Sequence, residues 1–136
     1  MLLKDQVALI TGGAGHNGLG YATAKMMAAH GAKVVIMDLP QAEPARAAVE
    51  LGDGHLGLVG NVVRKEEVDA VVAQVLARYG RIDVLVNNAG ITQPRKTVEI
   101  TGSDYDAVLD VSLRGMLLAS QAVIPTMQKQ KSGSII

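Results

Sequence analysis

The ten-residue segment Thr11-Gly12-Gly13-Ala14-Gly15-His16-Asn17-Gly18-Leu19-Gly20 constrains this chain more than any other feature. It follows directly on the compact apolar run Val7–Ile10, which reads as a fully buried strand. Glycines after such a run let the backbone turn tightly and approach another group without Cβ collisions. Gly18–His30 continues in small and apolar residues, and Gly31 stands where a helix needs a left-handed terminal residue. A strand, a glycine turn and a helix in immediate succession commit the start of the chain to an α/β arrangement.

The same alternation runs on. Val34–Met37 is a second buried strand, closed by Asp38 and Pro40. Gln41–Leu51 reads as a short helix stopped by Gly52 and Gly54, and His55–Val59 as a weak third strand. Val68, Val71, Val72, Val75, Leu76 and Tyr79 recur at helical spacing before Gly80. Ile82–Val86 is the fourth strand and Asn87–Ile100 a loop; Thr101 or Ser103 then caps a long helix running through Leu113 toward Met127. The pattern predicts an α/β fold, a doubly wound parallel sheet with helices on both faces. No repeat or linker divides residues 1–136, which read as one domain. Only Ser134–Ile136 is available as outer neighbour of the fourth strand. The sheet therefore reads as cut at the start of its fifth strand, and the folding unit is expected to continue past Ile136.

Composition excludes several classes. A chain that is 49% hydrophobic and 19% charged is not disordered. Thirteen basic residues balance thirteen acidic ones, and the only aromatics are three tyrosines, which argues against a nucleic-acid partner. The absence of cysteine removes disulfides and thiol catalysis, and His30 and His55 have no spacing that suggests a metal. No apolar run approaches the roughly 18 residues of a membrane span. Lys4 and Asp5 interrupt any signal core, so the expected setting is cytoplasmic, with no membrane partner.

Gly13, Gly15 and Gly18 match G-x-G-x-x-G, with a strand before and a helix after. The N-terminal amides and dipole of such a helix point at an anion. Asp38 stands at the tip of the second strand, eighteen residues past Gly20. A carboxylate there accepts hydrogen bonds from an adenosine ribose and repels a 2′-phosphate, which selects NAD over NADP.

Thr11-Gly12, Gly18-Leu19-Gly20, Asp38, Asn61-Val62, Asn87-Asn88-Ala89-Gly90 and the helix Asp110–Met127 together resemble the short-chain dehydrogenase/reductases over nearly the whole chain. Asn-Asn-Ala-Gly after a buried strand is the most specific of these motifs. The resemblance implies a Rossmann-type sheet forming the cofactor-binding half of an NAD(H)-dependent oxidoreductase. Such an enzyme moves hydride between the nicotinamide and a small alcohol or ketone, and the whole protein is expected to be a dimer or tetramer. By position, Gly12, Leu19 and Gly20 would line the pyrophosphate, with Asn17 and Gly18 in the same loop. Asp38 and Leu39 would meet the adenosine end, Asn61 and Val62 would flank the adenine, and Asn88, Ala89 and Gly90 would pass beneath adenosine and ribose. Val111 would approach from the long helix. The family's catalytic serine and Tyr-x-x-x-Lys pair would fall beyond Ile136, so the chain alone is expected to be inactive. A non-catalytic dinucleotide-binding module and an inert fragment are the alternatives.

The sequence also departs from the family pattern. Five residues separate Gly12 from Gly18 where the pattern has three, so the pair around Gly15-His16 is expected to bulge near the phosphates. His16 there either donates to a phosphate or stands in solvent. Asn61 replaces the usual aspartate, and its amide can still accept from an adenine amino group. Ser112 stands where the family has a relay asparagine, and is either a relay residue or a plain helix substitution. Tyr21-Ala22-Thr23-Ala24-Lys25 is a literal Y-x-x-x-K, but on the first helix it reads as a pair of surface neighbours. Met26, Met27, Met116 and Met127 read as helix packing, and Arg95 and Lys96 as solvated.

Overall fold

The computed structural model describes residues 1–136. Its strands are β1 (Val7–Thr11), β2 (Lys33–Asp38), β3 (Leu56–Val59), β4 (Val84–Val86) and β5 (Ser134–Ile135). They form one parallel sheet in the order β3-β2-β1-β4-β5. The helices are α1 (Leu19–Ala29), α2 (Pro44–Glu50), α3 (Lys65–Tyr79), α4 (Gly102–Leu109) and α5 (Gly115–Gln130). This is the doubly wound, Rossmann-type arrangement that the alternation predicts.

Strand periodicity divides the core in two. Val7 and Leu9 of β1 point to one face, where they join Val35, Met37, Val71, Val75, Ala119 and Val123. Ala8 and Ile10 point to the other, with Val34, Ile36, Tyr21, Ala24 and Ala47. Both faces are covered, so these strands are continuous apolar runs. The chain winds outward from β1 through β2 to β3, then returns to place β4 on the opposite side of β1. That reversal opens a crevice beyond the carboxyl ends of β1 and β4.

Four local features differ from the sequence expectation. Gln41–Leu51 is not one helix: a single 3-10 turn at Pro40–Ala42 ends at Glu43 in the left-handed region (φ 52°), and α2 starts at Pro44. Proline disfavours helical geometry in the residue before it, and its missing N–H fits a first helical position. The fourth strand is shorter than Ile82–Val86, because Gln130 of α5 replaces the neighbouring strand at Ile82. The Gln130 side chain accepts from the Ile82 N–H at 3.1 Å and donates to its carbonyl at 2.8 Å.

The third difference lies in the long helix. Thr101 caps it through a reciprocal box with Asp104, but Asp110–Arg114 forms a π turn between α4 and α5. Fourth, this Gly102–Gln130 segment is long and apolar enough to cross a membrane by length and composition, an 18-residue window within it reaching a mean hydropathy of 1.5. No unbroken apolar run reveals this, because Ser120, Gln121 and Thr126 are interspersed. Its buried residues Gly115, Ala119, Val123 and Met127 recur every four positions and pack it against the sheet. Of Met26, Met27, Met116 and Met127, only Met127 is buried; Met26 and Met116 are exposed, which corrects their reading as packing residues.

Two predictions follow from the packing of β3. The Pro44 carbonyl lies so close to Gly57 that an added Cβ would overlap it. Gly57→Ala should therefore lower the unfolding free energy by about 1–3 kcal/mol in urea titration. Gly102→Ala, whose methyl meets nothing within 4 Å, serves as the neutral control. His55 Nδ1 accepts the Val34 N–H at 3.0 Å, so the ring must be neutral. Burial, helped by the charge of Lys33, holds the His55 pKa below its ordinary value. The unfolded chain then binds the extra proton, so this stability is present above about pH 6.5 and is lost as pH falls toward the folded-state value. His55→Gln should flatten the loss of denaturant midpoint between pH 7.5 and 5.5.

Candidate functional site

A cleft of about 490 Å³ opens where the crevice meets the loops after β1, β2 and β4. Its floor is a contact between two motifs far apart in sequence. Gly12 is left-handed (φ 64°), and a Cβ on it would stand 2.8 Å from Ala89 Cα. The Asn88 side chain donates to the carbonyls of Thr11 (3.0 Å) and Gly12 (2.8 Å). The Thr11 hydroxyl accepts from the Ala89 N–H at 3.1 Å and donates to the Val86 carbonyl at 3.4 Å. A Cβ on Gly20 would overlap the Asn88 amide. The glycine loop and the Asn88–Gly90 turn are thus one bonded unit.

Above that floor, α1 begins at Leu19 with no side-chain cap and no acidic residue in its first turn. Its first N–H groups therefore lack side-chain partners, and its dipole favours an anion at that end. The Asp38 carboxylate accepts from the Ala14 N–H at 3.0 Å and the Leu39 N–H at 2.8 Å, tying the glycine loop to the tip of β2. Two lone-pair sites on an ionised carboxylate remain for a hydroxyl-bearing ligand. An uncapped helix end and a carboxylate on one largely apolar cleft fit a dinucleotide's pyrophosphate and ribose.

Of the sequence-predicted positions, Gly12, Gly18, Leu19, Gly20, Asp38 and Leu39 all line this cleft. So do Asn61, Val62, Asn88, Ala89, Gly90 and Val111. Asn17 is exposed on the loop and Ser112 sits half-buried on the π turn, both outside the lining. Ser112 Oγ nevertheless lies 3.6 Å from where a Gly90 Cβ would be. The Asn61 carbonyl oxygen is engaged by the Val63 N–H at 3.1 Å, and the group left without a protein partner is its Nδ2 donor. Asn61 therefore has a donor to spare beside the second acceptor site of its oxygen.

Sequence reasoning missed Met37, Ala42, Gly60 and Ile91 among the lining residues. Ala42 arrives on the 3-10 turn, which Pro40 and Pro44 signalled. Gly60 leaves room for the Met37 side chain, since a Cβ there would stand 2.7 Å from Met37 Cε.

The Tyr21–Lys25 pair also differs from its surface reading. Tyr21 is 5% exposed, and its hydroxyl donates to Glu50 at 3.2 Å, while Lys25 Nζ lies 5.6 Å from its ring centroid. Burial, then the Glu50 hydrogen bond and charge, push the phenol above its ordinary pKa. A phenol used as acid/base near neutral pH needs the opposite shift. His16 stands in solvent and is also paired: Nε2 lies 2.5 Å from Glu50, and the ring packs on Tyr21 with centroids 4.7 Å apart. Arg95 is half-exposed and reaches Asp104 at 3.3 Å.

The sequence model of the short chain dehydrogenase family matches residues 6–136. A 3-oxoacyl-[acyl-carrier-protein] reductase of Thermotoga maritima is 41% identical over 140 residues, which is 100% of this chain and 56% of that protein. A (2S)-[(R)-hydroxy(phenyl)methyl]succinyl-CoA dehydrogenase subunit of Thauera aromatica is also 41% identical, with 100% and 55% covered. Among solved structures, a 3-ketoacyl-(acyl-carrier-protein) reductase from Brucella melitensis complexed with NADH superposes with a TM-score of 0.88 at 37% identity. That match covers 94% of this chain and 52% of the other. The chain spans about half the length of the curated relatives it matches.

If the floor is one bonded unit, its members are coupled. Asn88→Ala and Thr11→Val should each cost about 1–3 kcal/mol, because each leaves buried backbone groups unpaired. The double variant should cost measurably less than their sum in urea unfolding. Strict additivity would mean that the two motifs only touch.

Proposed function

The chain belongs to the short chain dehydrogenase family, and we propose that it forms the NAD(H)-binding half of an oxidoreductase acting on a small alcohol or ketone. The observation that carries this reading is that Asp38 and the uncapped start of α1 open onto the same cleft. The nicotinamide, when bound, supplies a two-electron hydride donor or acceptor at its C4. The chain's own residues bind and orient. The first-turn amides of α1 hold the pyrophosphate, and Gly12 and Gly20 let the backbone come close. Asp38 takes the adenosine ribose hydroxyls and repels a 2′-phosphate, giving NAD its preference over NADP. Val62 and Leu39 shape the adenine end, and Asn88 fixes the turn that carries Ala89 and Gly90. Asn17 belongs to the same loop and follows its position.

Ser112 takes the place of the family's relay asparagine, its hydroxyl holding a water beside Gly90. The substrate-orienting serine and the Tyr-x-x-x-Lys pair lie past Ile136, so residues 1–136 bind cofactor without turning it over. The whole protein is read as a cytoplasmic homo-oligomer. Tyr105, Leu109, Leu113, Met116, Leu117 and Ile124, exposed along α4, the π turn and α5, support that assembly.

Asp38→Ala in the full-length protein tests the reading. Hydrogen bonds to a charged group contribute about 1.5–3 kcal/mol, so NADH binding should weaken about tenfold or more by fluorescence titration. NADPH binding should hold or improve, narrowing the preference. Unchanged affinities for both would reject Asp38 as the selector.

A further inference from the structure

The glycine loop is two residues longer than the family pattern, and packing does not hold it. Gly15, His16, Asn17, Gly18 and Leu19 are all exposed, and nothing lies within 4 Å of a Cβ placed on Gly15. Three polar ties fix it instead. Gly18 N–H donates to the Gly15 carbonyl at 2.8 Å, Ala14 N–H donates to Asp38, and His16 pairs with Glu50. The first is internal to the loop and the second lies before its apex. Only the third anchors the added residues to another element.

Glu50 is the last residue of α2 and stands outside the cleft. Three elements converge on its carboxylate. His16 of the loop and the Tyr21 hydroxyl of α1 both reach Oε2, while Arg46 Nε, one turn back on α2, is 3.5 Å from Oε1. Beneath them the buried Tyr21 ring supports the His16 ring, and Lys25 covers the Tyr21 face. The hydrogen bond from His16 is the leading cause that holds the Glu50 carboxyl below its ordinary pKa.

We propose that Glu50 is a positioning residue for the pyrophosphate loop: through His16 and Tyr21 it holds the lengthened loop in the form that receives a dinucleotide. The proposal rests on the reading of the cleft given above. Two effects of Glu50 have opposite signs, which makes it testable. As an anion near a pyrophosphate it repels the ligand, so its removal would tighten binding. As an anchor it spares the loop an ordering cost at the moment of binding, so its removal weakens it. An exposed ion pair adds little to global stability, so the anchor effect appears in binding rather than in melting.

The experiment uses the full-length protein and NADH. Glu50→Ala and His16→Ala should each weaken NADH binding about five- to twentyfold, the loss expected when the competent loop is only fractionally populated. The KM for the nicotinamide cofactor should rise with little change in kcat. The double variant should be no worse than either single one. His16→Gln, which still offers an N–H to Glu50, should recover most of the loss. Tyr21→Phe keeps the buried ring and should lose less than Glu50→Ala; melting temperatures near wild type would show that the fold is intact. Unchanged or tighter NADH binding in Glu50→Ala, or additive losses in the double variant, would overturn the proposal. Wild-type protein that takes no NADH would overturn the reading of the cleft and this proposal with it.

Discussion

The Asn88 side chain, donating to the carbonyls of Thr11 and Gly12, is the interaction on which the site depends. It joins the loops that leave β1 and β4, the two strands between which the winding order reverses. A parallel sheet leaves a crevice at such a reversal, but does not by itself decide how wide the crevice is. Here the width is set by contact. Gly12 accepts a left-handed backbone so that Ala89 can sit against it, and Gly20 leaves room for the Asn88 amide. A side chain at either glycine would push the loops apart or displace the amide. The free N–H groups of α1 and the Asp38 carboxylate keep their places because this floor is rigid.

The opposite wall is shaped by the helix rather than by a strand. An uninterrupted helix from Gly102 to Gln130 would keep one regular face toward the sheet. The π turn at Asp110–Arg114 shifts that register, bringing Val111 into the cleft lining and Ser112 near Gly90. Just after it, Gly115 lets the helix approach Val62, whose Cγ2 would stand 2.7 Å from an added Cβ. Single-turn π insertions often mark functional positions, and this one carries Val111 into the lining of the cleft that Asp38 also lines.

Much of this was legible in the sequence, for physical reasons. Strands buried on both faces cannot alternate, so Val34–Met37 declares itself; β1 ends in a glycine turn, and the valines of α3 keep helical spacing. Glycine, asparagine and aspartate at the cleft are visible because backbone geometry and ribose chemistry demand those types. What stayed hidden depends on contacts between distant residues. Gln130 trimming β4, the π turn and the His16–Glu50 pairing 34 residues apart leave no local signature. Tyr21 looked like a surface residue because helical spacing says which residues share a face, not what covers that face.

The central claim is that a dinucleotide lies across this floor with its pyrophosphate on α1 and its adenosine ribose on Asp38. A crystal structure of the full-length protein grown with NADH tests it most directly. The account predicts phosphate oxygens within about 2.7–3.2 Å of first-turn N–H groups of α1, and ribose hydroxyls at the same distance from the Asp38 carboxylate. The Asn88 bonds to Thr11 and Gly12 would be unchanged. A dinucleotide bound elsewhere, or bound here with Asp38 turned away and the Asn88 bonds broken, would contradict it.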